Sequence, residues 1–389
     1  MGVNMLGSSG LLQLARSLTF AEDASQVCKA MGREIVVVTG GTSGVGRATA
    51  RLFAQRGAAV AVLSRGKERL EATRRELEAY GIPALALCVD VADPDQVYKA
   101  ADHVERILGP IDVWINNAMV SVFSPIWETK PEEYLRVTEV TYLGYVHGTL
   151  AALRYMRTRN SGCILQVGSA LAFRGVPLQS AYCASKYAVR GFTDSLRSEL
   201  MHAGSAIRIC EVHLPAVNTP YFSWVKSRLQ HKARPATSIF QPELAAAVIH
   251  NAVHCKRRHW FLGASTHRMV WGNRLMPGFL DRWLARKAYS SQQTSKPEDV
   301  LRPHNLWNPP PGDYGCHGVF EANASKRSLL YWLDRHRTGL AASAILLGAA
   351  VAGALWWKKA SPLGSGNSGR GNSKDGNTFR ENSGKCKGA

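Results

Sequence analysis

The run Ile35-Val36-Val37-Val38 constrains this chain most. It is short and β-branched, the composition of a buried strand. Thr39-Gly40-Gly41 ends it, and Gly44-Val45-Gly46 leads into ATARLFAQRG, which reads as a helix stopped by Gly57. Strand, glycine turn and helix make the opening of a nucleotide-binding βαβ unit. The glycines let the backbone come close to a pyrophosphate, and the helix N-terminus offers it unpaired N–H groups. The spacing is G-x-x-x-G-x-G over Gly40, Gly44 and Gly46, not G-x-G-x-x-G. A glycine turn with no ligand is the plain alternative; the strand before and the helix after favour the nucleotide.

The alternation continues. Ala58 to Leu63 reads as a second strand, Lys67 to Tyr80 as a charged helix, and Ala84 to Val89 as a third strand closed by Asp90. Asp93 is the expected N-cap of the next helix, with Pro94 at its first position. Ile111 to Ile115 is a fourth strand ending in Asn116-Asn117-Ala118. Pro131 to about Thr158 is a long helical stretch, followed by Cys163 to Val167. Another helix runs to about His202, and Ala206 to His213 is a sixth strand. Gln241 to Val253 reads as helix and Trp260-Phe261-Leu262 as a seventh strand. Such alternation implies an α/β fold with a parallel sheet covered on both faces. Ligands then bind beyond the strand C-termini. The glycine turn, Arg65, Asp90, Asn116, Ser169 and Pro215 all fall there.

Ser169 follows the apolar run CILQVG, Tyr182 comes thirteen residues later, and Lys186 four after that. On a helix, Tyr182 and Lys186 share one face. A free tyrosine hydroxyl has a pKa of about 10, too high for easy proton transfer at neutral pH. A nearby ammonium favours the phenolate and lowers that value. The bland reading is a surface Tyr/Lys pair on an ordinary helix.

Together, TGGTSGVG (39–46), Asn116-Asn117-Ala118, the Ser169–Tyr182–Lys186 spacing and LPAVNTP (214–220) resemble the short-chain dehydrogenase/reductase family, over about residues 32 to 263. The resemblance implies a Rossmann-fold, doubly wound parallel sheet of seven strands. It also implies a nicotinamide cofactor and hydride transfer between an alcohol and a carbonyl. Tyr182 would be the acid/base, Lys186 would lower its pKa and hold the nicotinamide ribose, and Ser169 would bind the substrate oxygen. Thr39, Gly40, Ser43, Gly44, Val45 and Gly46 would cradle the pyrophosphate. Asp90 would lie near the adenine and Asn116 beside the adenosine ribose, with Val91 and Ala118 among the cofactor residues. Pro215, Val217 and Thr219 would flank the nicotinamide. Three positions depart from the family pattern: Met119 and Ala216 replace glycines, and Thr141 stands where a catalytic asparagine is usual. The Thr141 hydroxyl is expected to act as a weaker substitute in the proton path. An NAD-specific site wants a carboxylate after the second strand, whereas this chain has Ser64-Arg65. NADP(H) is therefore expected over NAD(H). A non-catalytic NADP(H)-binding scaffold at a membrane is the alternative, disfavoured by the intact triad.

The net charge of +19 raises nucleic acid and anionic membrane as partners. No nucleic-acid motif accompanies it, so no nucleic acid is expected. The eight cysteines show no CxxC pair, which suits reduced thiols and gives no metal site. Residues 1–31 read as a lead-in without an evident signal peptide, residues 32–263 as the catalytic domain, and residues 264–338 as a C-terminal extension. Residues 339–357 are uncharged and long enough for a single transmembrane helix. Residues 358–389 read as a disordered basic tail. The expected location is thus a membrane, with the catalytic domain on the cytoplasmic side. A lipophilic carbonyl or alcohol is the expected substrate, and a homodimer or homotetramer the assembly to look for.

Overall fold

β-Branched and small apolar residues build the first strands. The computed structural model describes residue 28, residues 32–299 and residues 301–360. The expected lead-in, Cys28 apart, and the tail from residue 361 lie outside the described residues. The first half of the sheet comes from β1 (Ile35–Thr39), α1 (Gly44–Gln55), β2 (Ala59–Ser64), α2 (Lys67–Glu78), β3 (Ala84–Cys88), α3 (Pro94–Ile107) and β4 (Val113–Asn116). Asp93 caps α3 as expected, its carboxylate accepting from the N–H groups of Asp95 and Gln96. The long helical stretch is α4 (Pro131–Thr138) and α5 (Gly144–Arg159), joined by one π turn over Glu139–Leu143. Then follow β5 (Cys163–Ser169), α6 (Ser180–His202), β6 (Arg208–Leu214), α7 (Pro242–His254) and β7 (His259–Phe261).

The seven strands are parallel in the order β7-β6-β5-β4-β1-β2-β3. Side chains alternate between two cores. Ile35, Val37, Ala61, Trp114 and Ile164 face the layer containing α3, α5 and α6. Val36, Val38, Val60, Ile115 and Leu165 face the layer of α1, α2 and α7. Fully burying one such Val, Ile or Phe stabilises by about 1.5–3 kcal/mol. With both faces covered, only the strand ends are left for a ligand. The order reverses between β1 and β4, and a crevice opens where neighbouring connections leave on opposite faces.

The chain divides into two compact units at Arg335/His336. In the first, α8 (Gly263–Leu275) and α9 (Pro277–Ser291) form a helical hairpin, and an irregular segment follows from residue 301. The second unit begins within α10 (Leu329–Ala360). Gly339 to Trp357 makes up much of α10. No helix of the described residues is long and apolar enough to cross a membrane, so the expected transmembrane helix is not found. More than half of the run is Ala or Gly, which bring little apolar side chain per turn, and α10 is charged just before it, from Asp334 to Arg337.

Helix α5 approaches the sheet at Gly148, where a Cβ would overlap Asn116 Oδ1 and Trp114 Nε1. Gly148→Ala should therefore lower stability by about 1–3 kcal/mol, read from the urea midpoint. An unchanged midpoint would mean that Asn116 and Trp114 can move aside freely.

Candidate active site

The glycine turn after β1 is shaped for a close backbone approach. Gly40 and Gly44 adopt φ of 64° and 52°, and a Cβ on Gly44 would press on Thr219 at 2.9 Å. Gly40, Ser43, Gly44, Val45 and Gly46 wall one side of a cleft over the strand ends. Arg65, Asp90 and Val91 wall the end beyond β2 and β3. Ala118, Pro215, Val217, Thr219 and Lys186 wall the remainder. Met119 and Ala216, in place of the usual glycines, are absent from the positive-φ positions, so their side chains cause no backbone strain. A positive-φ glycine cradle beside arginines suits a dinucleotide phosphate.

Two expected cofactor residues have other tasks. The Thr39 hydroxyl accepts from the N–H groups of Asn117 (2.9 Å) and Ala118 (3.1 Å), tying the β1 and β4 loops together. Asn116 turns into the core. Its Oδ1 accepts from Trp114 Nε1 (2.9 Å), and its Nδ2 lies within hydrogen-bond distance of Tyr145 O, Thr149 and Gln166. Asn117, not Asn116, lies on the cleft.

Ser169 ends β5, and Tyr182 and Lys186 lie on α6. The Ser169 hydroxyl accepts from Leu171 N–H (3.1 Å) and lies near enough to the Tyr182 hydroxyl to favour its phenolate. Tyr182 is half-buried, and burial pushes its hydroxyl up to about 12, against the nearby Ser169 hydroxyl. Lys186 is 2% exposed. Its Nζ donates to Tyr145 Oη (2.8 Å) and to the Val167 carbonyl (2.8 Å), and lies 5.7 Å from the Tyr182 ring centroid. Burial pulls Lys186 down to about 7, against the favourable charge of Glu211. Lys186 thus titrates close to neutral pH, and the lowering of Tyr182 expected from it is not found: burial outweighs the Ser169 hydroxyl, which is what opposes it.

Tyr145 escaped the sequence reading. Its hydroxyl accepts from Lys186 and donates to Val167 O (3.1 Å). Glu211, His213 and His259 also escaped it, although Glu211 and His213 alternate along β6. Their potential ligand atoms lie within 4.8 Å of one another. Arg197 stands 3.5 Å from Glu211, so a guanidinium already supplies positive charge there.

Thr141 lies within the π turn, fully buried. Its hydroxyl donates to Val120 O (2.8 Å) and accepts from Val120 N–H (3.1 Å). This brings the loop beyond β4 against the helix. Thr141→Val removes both bonds. Leaving buried backbone groups unpaired costs about 1–3 kcal/mol, so denaturant stability should fall by that order. A loss of turnover with no loss of stability would instead give the hydroxyl a part in proton transfer.

The family model described as short chain dehydrogenase matches residues 34–229. An uncharacterized oxidoreductase, YxnA, of Bacillus subtilis is 30% identical over 85% of this chain and 92% of its own length. Human 17-beta-hydroxysteroid dehydrogenase 13 is 34% identical over 45% of this chain and 59% of its own length. Among solved structures, an alcohol dehydrogenase from the archaeon Thermococcus sibiricus, complexed with 5-hydroxy-NADP, aligns with a TM-score of 0.52. It is 26% identical and covers 59% of this chain and 95% of its own. With the seven-stranded sheet and the glycine cradle in place, these matches make the chain an oxidoreductase belonging to the short-chain dehydrogenase family.

Proposed function

We propose that the protein interconverts an alcohol and a carbonyl with NADP(H), on a lipophilic substrate, with Tyr182 as the acid/base. The observation that carries this reading is the placing of Tyr182, with Ser169 near its hydroxyl, beside the buried Lys186, which itself walls the glycine-cradled cleft. When bound, the nicotinamide supplies or accepts the hydride. In the reducing direction Tyr182 gives its hydroxyl proton to the substrate oxygen, and in the oxidising direction it takes the alcohol proton. Ser169 holds that oxygen in place. A phenol raised to about 12 gives up its proton reluctantly. The Lys186 ammonium stabilises the phenolate that remains, and an amine that titrates near 7 can gain and return a proton at neutral pH.

The preference for NADP(H) rests on Arg65. Its guanidinium stands at the end of β2, with Arg69 also on the cleft, and can meet a 2′-phosphate with charge-assisted hydrogen bonds. Tyr182→Phe should lower turnover about 10²–10⁴-fold while dinucleotide binding survives, followed by NADPH absorbance with a panel of ketones. Arg65→Ala should weaken NADPH far more than NADH in fluorescence titrations. Near-normal turnover of the phenylalanine variant removes the acid/base assignment. An unchanged NADPH:NADH ratio removes the cofactor assignment.

A lipophilic substrate is supported by Tyr221, Phe222 and Trp224, whose rings wall the cleft. The membrane surface is the proposed source of that substrate. Trp271, Leu275, Met276, Phe279 and Trp283 are exposed around the α8–α9 turn. Arg268, Arg274, Arg282 and Arg286 flank them. Apolar residues at the tip of a basic hairpin suit an anionic lipid surface. The turn end of the hairpin is held to the loop between Ser169 and Tyr182: Arg174 donates to Asn273 Oδ1 (3.0 Å), and Asn273 donates to Phe173 O (2.9 Å). The protein should co-sediment with phosphatidylserine-rich vesicles, and Trp271→Ser with Phe279→Ser should weaken this about tenfold. Binding that survives both substitutions would point to another part of the chain.

A further inference from the structure

The irregular segment after residue 301 lies outside the part of the chain that the family model matches. Yet it crosses the cofactor cleft at several stations. We propose that residues 305–318 form a strap that roofs the cofactor groove, so that a dinucleotide enters and leaves only when the strap lifts. This rests on the reading that the groove takes NADP(H).

At the ribose end, Arg65 donates to the carbonyls of Asn305 (2.5 Å) and Trp307 (2.7 Å). Arg136 Nε donates to Leu306 O (3.1 Å), and its Nη2 donates to Asp90 (2.5 Å). The Leu306 side chain is fully buried in the core beside α3 and α5, an apolar plug for the strap's first turn. Farther along, Arg69 donates to Pro310 O (2.9 Å) and lies against the rings of Trp224 and Tyr314, the latter from the strap. The Gly312 N–H donates to Glu68 (2.6 Å), and Asp313 pairs with Arg47 of α1.

At the glycine turn, Gly44 N–H donates to Gly315 O (3.1 Å). Gly318 N–H donates to Asn218 O (3.3 Å), beside Thr219. Cys316 is 2% exposed against Ala48 and Ala246. Asn305 and Pro309 wall the same cleft as Gly44 and Lys186.

Carbonyl groups of an irregular segment find few partners in the protein; here cations meet several of them, and bonds to charged donors are the stronger kind. A guanidinium has five N–H donors. Arg65 uses two on the strap and keeps the others for a phosphate. The same group therefore links strap and dinucleotide. A phosphate that orders Arg65 also orders the carbonyls it holds, so a bound dinucleotide and a closed strap favour each other.

Cys316 is a built-in reporter of strap opening. Alkylation by iodoacetamide, read at Cys316 by peptide mass spectrometry, measures opening in cofactor-free and cofactor-saturated protein. Saturating NADPH should slow Cys316 alkylation at least about tenfold. Leu306→Ala removes the plug. It should speed alkylation of the cofactor-free protein and NADPH dissociation in stopped flow, each about tenfold, with the NADPH:NADH affinity ratio kept. Because a buried Leu→Ala change can prevent folding, Glu68→Ala is the second variant, releasing the Gly312 N–H without touching the cleft, and circular dichroism checks both. Alkylation indifferent to NADPH, with unchanged dissociation in a folded variant, overturns the strap. Equal binding of NADH and NADPH removes the phosphate preference alone, and the strap is then tested with NADH. Binding of neither dinucleotide overturns both readings.

Discussion

A primary amine shut away from water is the constraint around which the site is arranged. Lys186 comes off α6 into the space under the end of β5. An ammonium placed there without partners would cost several kcal/mol. Two acceptors meet it. One is the carbonyl of Val167, close to the end of its strand. The other is the hydroxyl of Tyr145, which donates in turn to the same carbonyl. Strand, α5 and α6 must therefore keep one mutual register. Glu211 on β6 favours the charged amine from farther away, and its own carboxyl is raised to about 7 by burial. Two groups of opposite charge are thus both adjusted toward neutrality by burial.

The fold was readable because parallel strands buried on both faces appear as continuous apolar runs. The seven expected strands lie within about two residues of the observed ones, inside the usual scatter of element ends. The glycine turn, Arg65 and Asp90 were readable for a topological reason, since strand C-termini collect on one edge whatever the side-chain detail. Orientation was not readable. Asn116 ends its strand as expected, but the pleat turns its amide into the polar contacts of Trp114, Thr149 and Gln166. The strap has no period to read, being held largely by backbone carbonyls that carry no sequence signal. Gly339 to Trp357 reads as a span from its length and lack of charge, but no helix of the described residues is long and apolar enough to cross a membrane.

The basic composition also looks different in the fold. Arg47 and Arg136 are buried or nearly so, and Arg69 is 6% exposed. Each holds a distant segment: Arg47 binds Glu76 and Asp313, Arg136 binds Asp90 and Leu306 O, and Arg69 binds Pro310 O. These arginines act as fasteners with several fixed N–H directions, a role that a lysine's single ammonium fills poorly. A large formal charge is thus compatible with a modest free positive surface near the cleft. The basic helical hairpin is where exposed cations do gather.

The π turn between α4 and α5 sets the angular phase of everything after it. An α-helix turns about 100° per residue, and a π turn takes up one residue more than the regular repeat. Glu133 lies before the turn, facing Arg228 and Lys226, whereas Tyr145 lies after it and faces Lys186. Tyr145 meets its partner across 41 residues of sequence, on another helix, so no local pattern announces the pair. The inserted residue acts as a fixed angular offset between two working faces of one rod. Insertions or deletions on either side of Glu139–Leu143 are then not interchangeable: one placed before it re-aims the brace on the 226–228 loop, and one placed after it re-aims the hydroxyl that steadies the buried amine.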